Sequence, residues 1–204
     1  MESTIFAAPI QPSTLQKSDV LRKSRVRKPV TVEDFEKWLK LRKRENNYEF
    51  YYGEIIKKPA MKQDEFYIAN LLIRLFIQTN AFIEGGMLFS ECDAYIDSFR
   101  KRVPDLAFFT KQQIEDGRKG VKTIPSFAIE ILSHSEAADD VEQKIQDYFD
   151  AGVQVVWYIS PKGKRIYVYT APTEVKIYHG SMCCNAQPAL PDFEVVVSDL
   201  FEEK

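Results

Sequence analysis

An α/β fold is predicted by the arrangement of apolar residues along this chain. Helix-period segments alternate with strand-like runs over most of its length, and the strand-like runs are concentrated between residues 87 and 159. One of them, Val153-Gln154-Val155-Val156-Trp157-Tyr158-Ile159, is almost entirely apolar, the composition of a strand covered on both faces. With 204 residues and 45% hydrophobic content, the chain has enough core for one ordinary domain without disulfides or a structural metal. The expected organisation is a flexible basic segment over residues 1–29, followed by a single domain over residues 30–204.

The elements follow in order. Residues 1–29 are rich in Pro, Ser, Gln and Lys and have little apolar periodicity. Thr31-Val32-Glu33-Asp34 matches a capping box, and Phe35, Trp38 and Leu39 then fall at i, i+3 and i+4 of a short amphipathic helix. Tyr48-Glu49-Phe50-Tyr51-Tyr52 and Glu54-Ile55-Ile56 flank Gly53 as two paired strands about a tight turn. Over residues 64–78, Phe66, Ala69, Leu72 and Phe76, with Ile68, Leu71 and Leu75 beside them, form the broad stripe of the main core helix. Gly85-Gly86 ends that segment, and Met87-Leu88-Phe89, Ala94-Tyr95-Ile96, 103–109 and 127–132 are predicted strands. Residues 140–150 are helical again up to Gly152. After the strand at 153–159, Pro161-Lys162-Gly163-Lys164 turns into Arg165-Ile166-Tyr167-Val168-Tyr169, predicted as a hairpin.

Bulk properties narrow the function. The three cysteines, Cys92, Cys183 and Cys184, match neither a zinc site nor a secreted disulfide framework, so a reducing cytoplasmic setting is expected. No apolar stretch approaches the roughly 20 residues that cross a bilayer, and no membrane association is expected. A net charge of -2 gives no global attraction to nucleic acid. Any such binding must use local basic surface, such as the runs at 17–28 and 40–44, or metal ions. A lone basic run is more often a solvated tail.

One residue breaks the pattern of burial. Glu130 stands inside Phe127-Ala128-Ile129-Glu130-Ile131-Leu132, where an uncompensated charge costs several kcal/mol. Strand alternation puts Glu130 on the face of Ala128 and Leu132, with Phe127, Ile129 and Ile131 opposite. Asp105, on the strand after Pro104, alternates with Val103 and Ala107. Two acids on adjacent strands suit a magnesium ion, which takes one or two carboxylates plus waters and phosphates, and the Ile131 carbonyl is available as a further ligand. On the following helix Lys144 lies one turn from Tyr148, at the edge of the stripe Val141, Ile145, Tyr148 and Phe149. A lysine there can orient an attacking water or stabilise a pentacovalent phosphate. Each signal has an ordinary alternative: a buried Glu paired with an Arg, an Asp that caps a turn, a Lys that snorkels to water.

Other constellations carry less. Ser133-His134-Ser135 lacks a nucleophile elbow, and His179 with Cys183-Cys184 lacks chelating spacing. Tyr167, Tyr169 and Tyr178 suit base stacking, but alternating Tyr on a hairpin more often packs core or interface.

Read together, Tyr48-Glu49-Phe50-Tyr51-Tyr52-Gly53-Glu54, Val103-Pro104-Asp105-Leu106-Ala107 and Glu130-Ile131-Leu132-Ser133-His134-Ser135, continued by Asp140, Lys144, Tyr148, Ala151-Gly152-Val153 and Trp157, resemble the Uma2-like endonuclease family of the PD-(D/E)XK nuclease superfamily. The resemblance spans about residues 31–200. It implies a restriction-endonuclease-like, three-layer fold, a central mixed β-sheet flanked by helices, with an added β-hairpin region. It further implies a metal-dependent endonuclease acting on DNA, using Mg2+ or Mn2+ and working as a homodimer. Asp105 and Glu130 would bind the metal, and Glu49 would be an additional acidic member. The superfamily's lysine, two residues after the strand acid, is Leu132 here, so its role passes to Lys144. Tyr52 replaces a common Asp, His134 a common Pro, and Asp64 or Glu65 a common His. Two other readings stay open: a catalytically inactive nuclease-fold module that binds DNA or protein, and a metal-dependent phosphoesterase acting on RNA or nucleotides.

Overall fold

The structure, a computed structural model, describes residues 28–42, 46–132 and 137–202. Most of the expected N-terminal segment, with its basic run up to Arg27, lies outside these residues, as do Lys43, Arg44 and Ser133-His134-Ser135.

Helix α1 (Val32–Lys40) starts at the expected capping box. Asp34 donates its N–H to Thr31 Oγ1 at 3.2 Å and its carboxylate accepts the Thr31 N–H at 3.4 Å, so two otherwise orphaned donors are satisfied. Its Val32, Phe35 and Leu39 pack on Phe50 of β1 (Asn47–Tyr51). Strand β1 pairs antiparallel with β2 (Glu54–Lys58) across a two-residue turn in which Tyr52 has φ 41° and Gly53 φ 85°. Positive φ at both central positions is the twist-matched hairpin geometry that glycine adopts without strain.

Helix α2 (Gln63–Phe76) buries Glu65, Ile68, Ala69, Leu72 and Phe76. Phe66 is not part of this stripe and is 54% exposed. The inward row begins at Glu65, three residues before Ile68, which rotates Phe66 toward solvent. A short α3 (Asn80–Ile83) follows, capped by Thr79. Gly86 then permits the entry into β3 (Met87–Ser90): a Cβ there would stand 2.8 Å from the Ala81 carbonyl oxygen and from the Phe108 ring.

The expected single strand at 103–109 is interrupted. Strands β4 (Ala94–Tyr95) and β5 (Arg100–Arg102) belong to one sheet, and β6 (Leu106–Phe109) belongs to another. Pro104 has no N–H for a ladder, so residues 103–105 carry the chain between sheets. Asp105 therefore sits in a bend just before β6, not within a strand. Helix α4 (Lys111–Arg118), capped by Thr110, had no clear apolar stripe in the sequence and buries no residue.

Strand β7 (Phe127–Ile131), helix α5 (Ala138–Asp150) and β8 (Val155–Ser160) form a crossover unit, and β7 runs parallel to β8. The hairpin β9 (Arg165–Ala171) and β10 (Glu174–His179) extends the sheet, whose order is β10-β9-β8-β7-β6-β3. All its other pairs are antiparallel. A smaller sheet has the order β2-β1-β5-β4, and β11 (Cys183–Ala186) pairs with β12 (Leu190–Val196) before a final 3-10 turn.

The alternation predicted for β7 sorts the core. Phe127, Ile129 and Ile131 face a cluster with Ile68, Leu72 and Phe76 of α2 and Phe193 of β12. Ala128 faces the other way, onto Ile145 and Tyr148 of α5. The mixed sheet is thus flanked by helices on both faces. Trp157 of β8, fully buried, stacks on Phe193 at 5.6 Å and meets Phe127 edge-on at 5.1 Å, which fastens the β11–β12 hairpin to the sheet. Among the described residues no helix is long and apolar enough to cross a membrane.

Candidate active site

The β6–β7 register sets the centre of the site. Leu106 is opposite Ile129, so Asp105, one step before the ladder, stands beside Glu130, one step beyond it. Asp105 Oδ2 accepts the Ile131 N–H at 2.6 Å, and Oδ1 lies 2.8 Å from Lys58 Nζ. Lys58 also donates to the Val103 carbonyl. Of Ile131, it is the amide that meets Asp105.

Glu130 faces α5. Tyr148 donates its hydroxyl to Glu130 Oε1 at 2.5 Å, and Lys144 Nζ is 3.8 Å from Oε2. Residues four apart share a helix face, which is why Lys144 and Tyr148 reach one carboxylate together. The Lys144 side chain is only 14% exposed, so it does not snorkel to solvent.

A second layer fixes these parts. Strand alternation turns Phe50 toward α1 and Glu49 the other way, where it accepts from Arg102 Nη1 at 3.0 Å and from the Val103 N–H at 3.1 Å. Arg102 also contacts Asp147 Oδ2 at 2.5 Å through Nη2 and 2.7 Å through Nε. Asp147, on α5 and fully buried, takes Arg100 Nη1 at 2.7 Å and Gln143 Nε2 at 3.0 Å on its other oxygen. One network therefore ties β1, β5 and α5, and fixes where α5 presents Lys144.

Burial pushes the Glu130 carboxyl above its ordinary value; Lys144 and Lys58 oppose this, while Asp105 and Glu49 add to it. Glu49 is also pushed up by burial, but Lys144, Arg102 and the Val103 N–H outweigh it, and its pKa lies below the ordinary value. Burial disfavours the Lys58 ammonium, yet Glu130 and Asp105 hold its pKa above the usual lysine value. Two neighbouring glutamates are thus displaced in opposite directions, as occurs where acids differ in role.

These residues open on a cleft of about 460 Å³ lined by Glu49, Lys58, Asp105, Glu130, Ile131 and Lys144, with Lys57, Lys62 and Glu65 among its further walls. Against protein-family models, residues 32–198 match Uma2, described as "Putative restriction endonuclease". The chain belongs to the Uma2 family. Among solved structures, the crystal structure of "a putative nuclease belonging to DUF820" from Anabaena variabilis matches with a TM-score of 0.71 at 23% identity, covering 85% of this chain and 98% of that one. That likeness shows the fold. No curated protein matches the chain.

The Uma2 residues singled out in the sequence, Asp105, Glu130, Lys144 and Glu49, line this one cleft, and Asp140 lines it too. Glu65 lines it as well, and its carboxylate accepts the Lys62 N–H at 2.8 Å. Lys58, Arg102 and Asp147 were missed. Lys58 ends a strand beside Lys57, and Arg102 closes Arg100-Lys101-Arg102, patterns that ordinarily mark solvated strand ends; Asp147 carries no local signal beyond its spacing of three from Lys144.

Asp105 and Glu130 offer the hard oxygens that magnesium or manganese prefers. Among the described residues no group of three or more His, Cys, Asp or Glu side chains is arranged to hold a metal ion, and Glu49 is taken by Arg102. Magnesium needs only one or two carboxylates when waters and phosphate complete its shell, so the donor chemistry of Asp105 and Glu130 fits.

Proposed function

We propose that this Uma2-family chain is a metal-dependent endonuclease that hydrolyses phosphodiester bonds in DNA, with Mg2+ or Mn2+ held by Asp105 and Glu130. The observation that carries the reading is the meeting of Asp105, Glu130 and Lys144 in one open cleft at the end of the central strands. The bound ion would polarise a phosphoryl oxygen and acidify a water molecule. Lys144, beside Glu130, would orient an attacking water and counter charge gathering on the phosphate. Tyr148 fixes the Glu130 carboxylate through its hydroxyl, and Arg102 holds Glu49 as part of the cleft wall. Lys57 and Lys62, both exposed at the cleft, are suited to backbone phosphates, which a chain of net charge -2 must engage locally. Work on two strands of a duplex favours a homodimer, an argument from the superfamily alone.

A second reading has one observation in its favour: Glu49, Asp105 and Glu130 each already face a cation of this chain. That is the state of a nuclease-fold binding module without catalysis. Plasmid nicking with Mg2+ or Mn2+ decides between them. Cleavage by the native chain that is lost in Asp105→Ala, Glu130→Ala and Lys144→Ala supports the endonuclease, and cleavage unchanged in all three removes the assigned site.

A further inference from the structure

The Lys58 ammonium is itself a cation paired with Asp105. It lies 2.8 Å from Asp105 Oδ1 and donates to the Val103 carbonyl. Its side chain is only 10% exposed, which is unlike a lysine waiting in solvent for a phosphate.

Charge balance sharpens the point. At the cleft, Glu49, Asp105 and Glu130 face Arg102, Lys58 and Lys144 in turn, so each of these carboxylates has a counter-charge without any ion. A divalent cation entering beside Asp105 would meet an ammonium already at ion-pair distance from its own ligand. Arg102 is fixed between two buried carboxylates and Lys144 is borne on α5. Lys58 differs: it is the last residue of β2, Pro59 and Ala60 after it line the cleft, and its four-carbon stem can swing outward without disturbing the strand.

We propose that Lys58 is a built-in counter-ion for Asp105, and that a divalent ion enters this site only by exchange with the Lys58 ammonium. The inference rests on the assignment of Asp105 and Glu130 as metal ligands. It makes Lys58 a positioning residue that sets metal affinity, and explains how buried acids keep their places before the ion arrives.

Calorimetric titration of Mn2+ into the native chain, Lys58→Met and Lys58→Gln tests the exchange. Gln keeps an amide donor for the Val103 carbonyl, so it guards against loss of folding in the Met variant; thermal melts with and without Mn2+ give a parallel readout. Mn2+ should bind at least one folded variant about tenfold or more tightly than the native chain, because the opposing ammonium is gone. Asp105→Asn in the Lys58→Gln background should abolish that gain. Equal affinity in native and variant chains, no Mn2+ binding by either variant, or a gain that survives Asp105→Asn would overturn the proposal. If the gain is present but no chain nicks plasmid, exchange stands and the endonuclease reading fails. If the native chain cleaves while affinities are equal, the endonuclease reading stands and exchange fails.

Discussion

Replacing Asp147 by Asn tests whether the buried network holds α5, and with it Lys144, in place. The carboxylate is fully buried, with Arg102 at 2.5 Å, Arg100 at 2.7 Å and Gln143 at 3.0 Å. Removing one member of a buried ion pair costs about 3–5 kcal/mol, because the partner is left buried and under-compensated. Arg102 keeps Glu49, and Arg100 keeps Asp97 and Asp150, so the lower end, about 3 kcal/mol, is expected. For a chain of this size that is a fall in Tm of about 6–12 °C. Asp150→Asn is the control: its side chain is 38% exposed, and the loss should stay within about 1 kcal/mol. Urea melts of the two variants provide the measurement, and plasmid cleavage at a temperature where both are folded should fall only in Asp147→Asn. If Asp147→Asn is as stable as Asp150→Asn, the network does not anchor α5 and its proposed link to Lys144 is wrong.

Further outcomes follow from the same geometry. Glu49 is held below its ordinary pKa of 4.5, so its contribution to stability is present above that value and is lost as pH falls through the folded value; urea melts from pH 3 to 7 should show a flatter acid limb in Glu49→Gln, and an unchanged limb counts against the Arg102 pairing. Lys57→Ala and Lys62→Ala should each weaken DNA binding across sequences and reduce the slope of log affinity against log salt by about 0.9, measured by fluorescence anisotropy; an unaltered slope places the DNA elsewhere. Leu72, fully buried between α2 and the sheet, should cost about 2–5 kcal/mol on change to Ala in a denaturant melt.

What the sequence revealed and what it hid divide along a physical line. Glu130 was visible because a charge interrupts an apolar strand, and Lys144 because 3.6-residue periodicity puts it one turn from Tyr148. The faces of β7 came out as alternation requires. Asp105 was found beside Pro104, but its strand was misjudged, since the same proline that marked the motif breaks the ladder there. Phe66 was misplaced because a buried Glu65 begins the inward row of α2, and an acid is not expected to do so. Lys58, Lys101 and Arg102 were read past for a related reason: their side chains are covered by partners from other elements, Lys58 by Asp105, Lys101 by Glu36 of α1, and Arg102 by Glu49 of β1 and Asp147 of α5. Lys101 ends 2.9 Å from both Glu36 and Asp93, and Glu36 is far from it in the chain. Local pattern cannot carry such long-range pairing.

The central claim is that Glu130 is kept for chemistry and not for stability. Burial holds its pKa above the ordinary 4.5, so at neutral pH the ionised carboxylate is disfavoured by the fold, and its stabilising share is present only below that value and lost as pH rises through the raised one. Glu130→Gln keeps the shape and a group that accepts from Tyr148. Single-turnover cleavage of supercoiled plasmid with Mn2+, measured beside the Tm at pH 7, is the direct test. The account predicts a rate at least about a hundredfold lower, the upper end of what even an outer partner of a metal ligand costs, with Tm equal to or above that of the native chain. A variant that cleaves at the native rate, or one that loses cleavage only because it has unfolded, would contradict it.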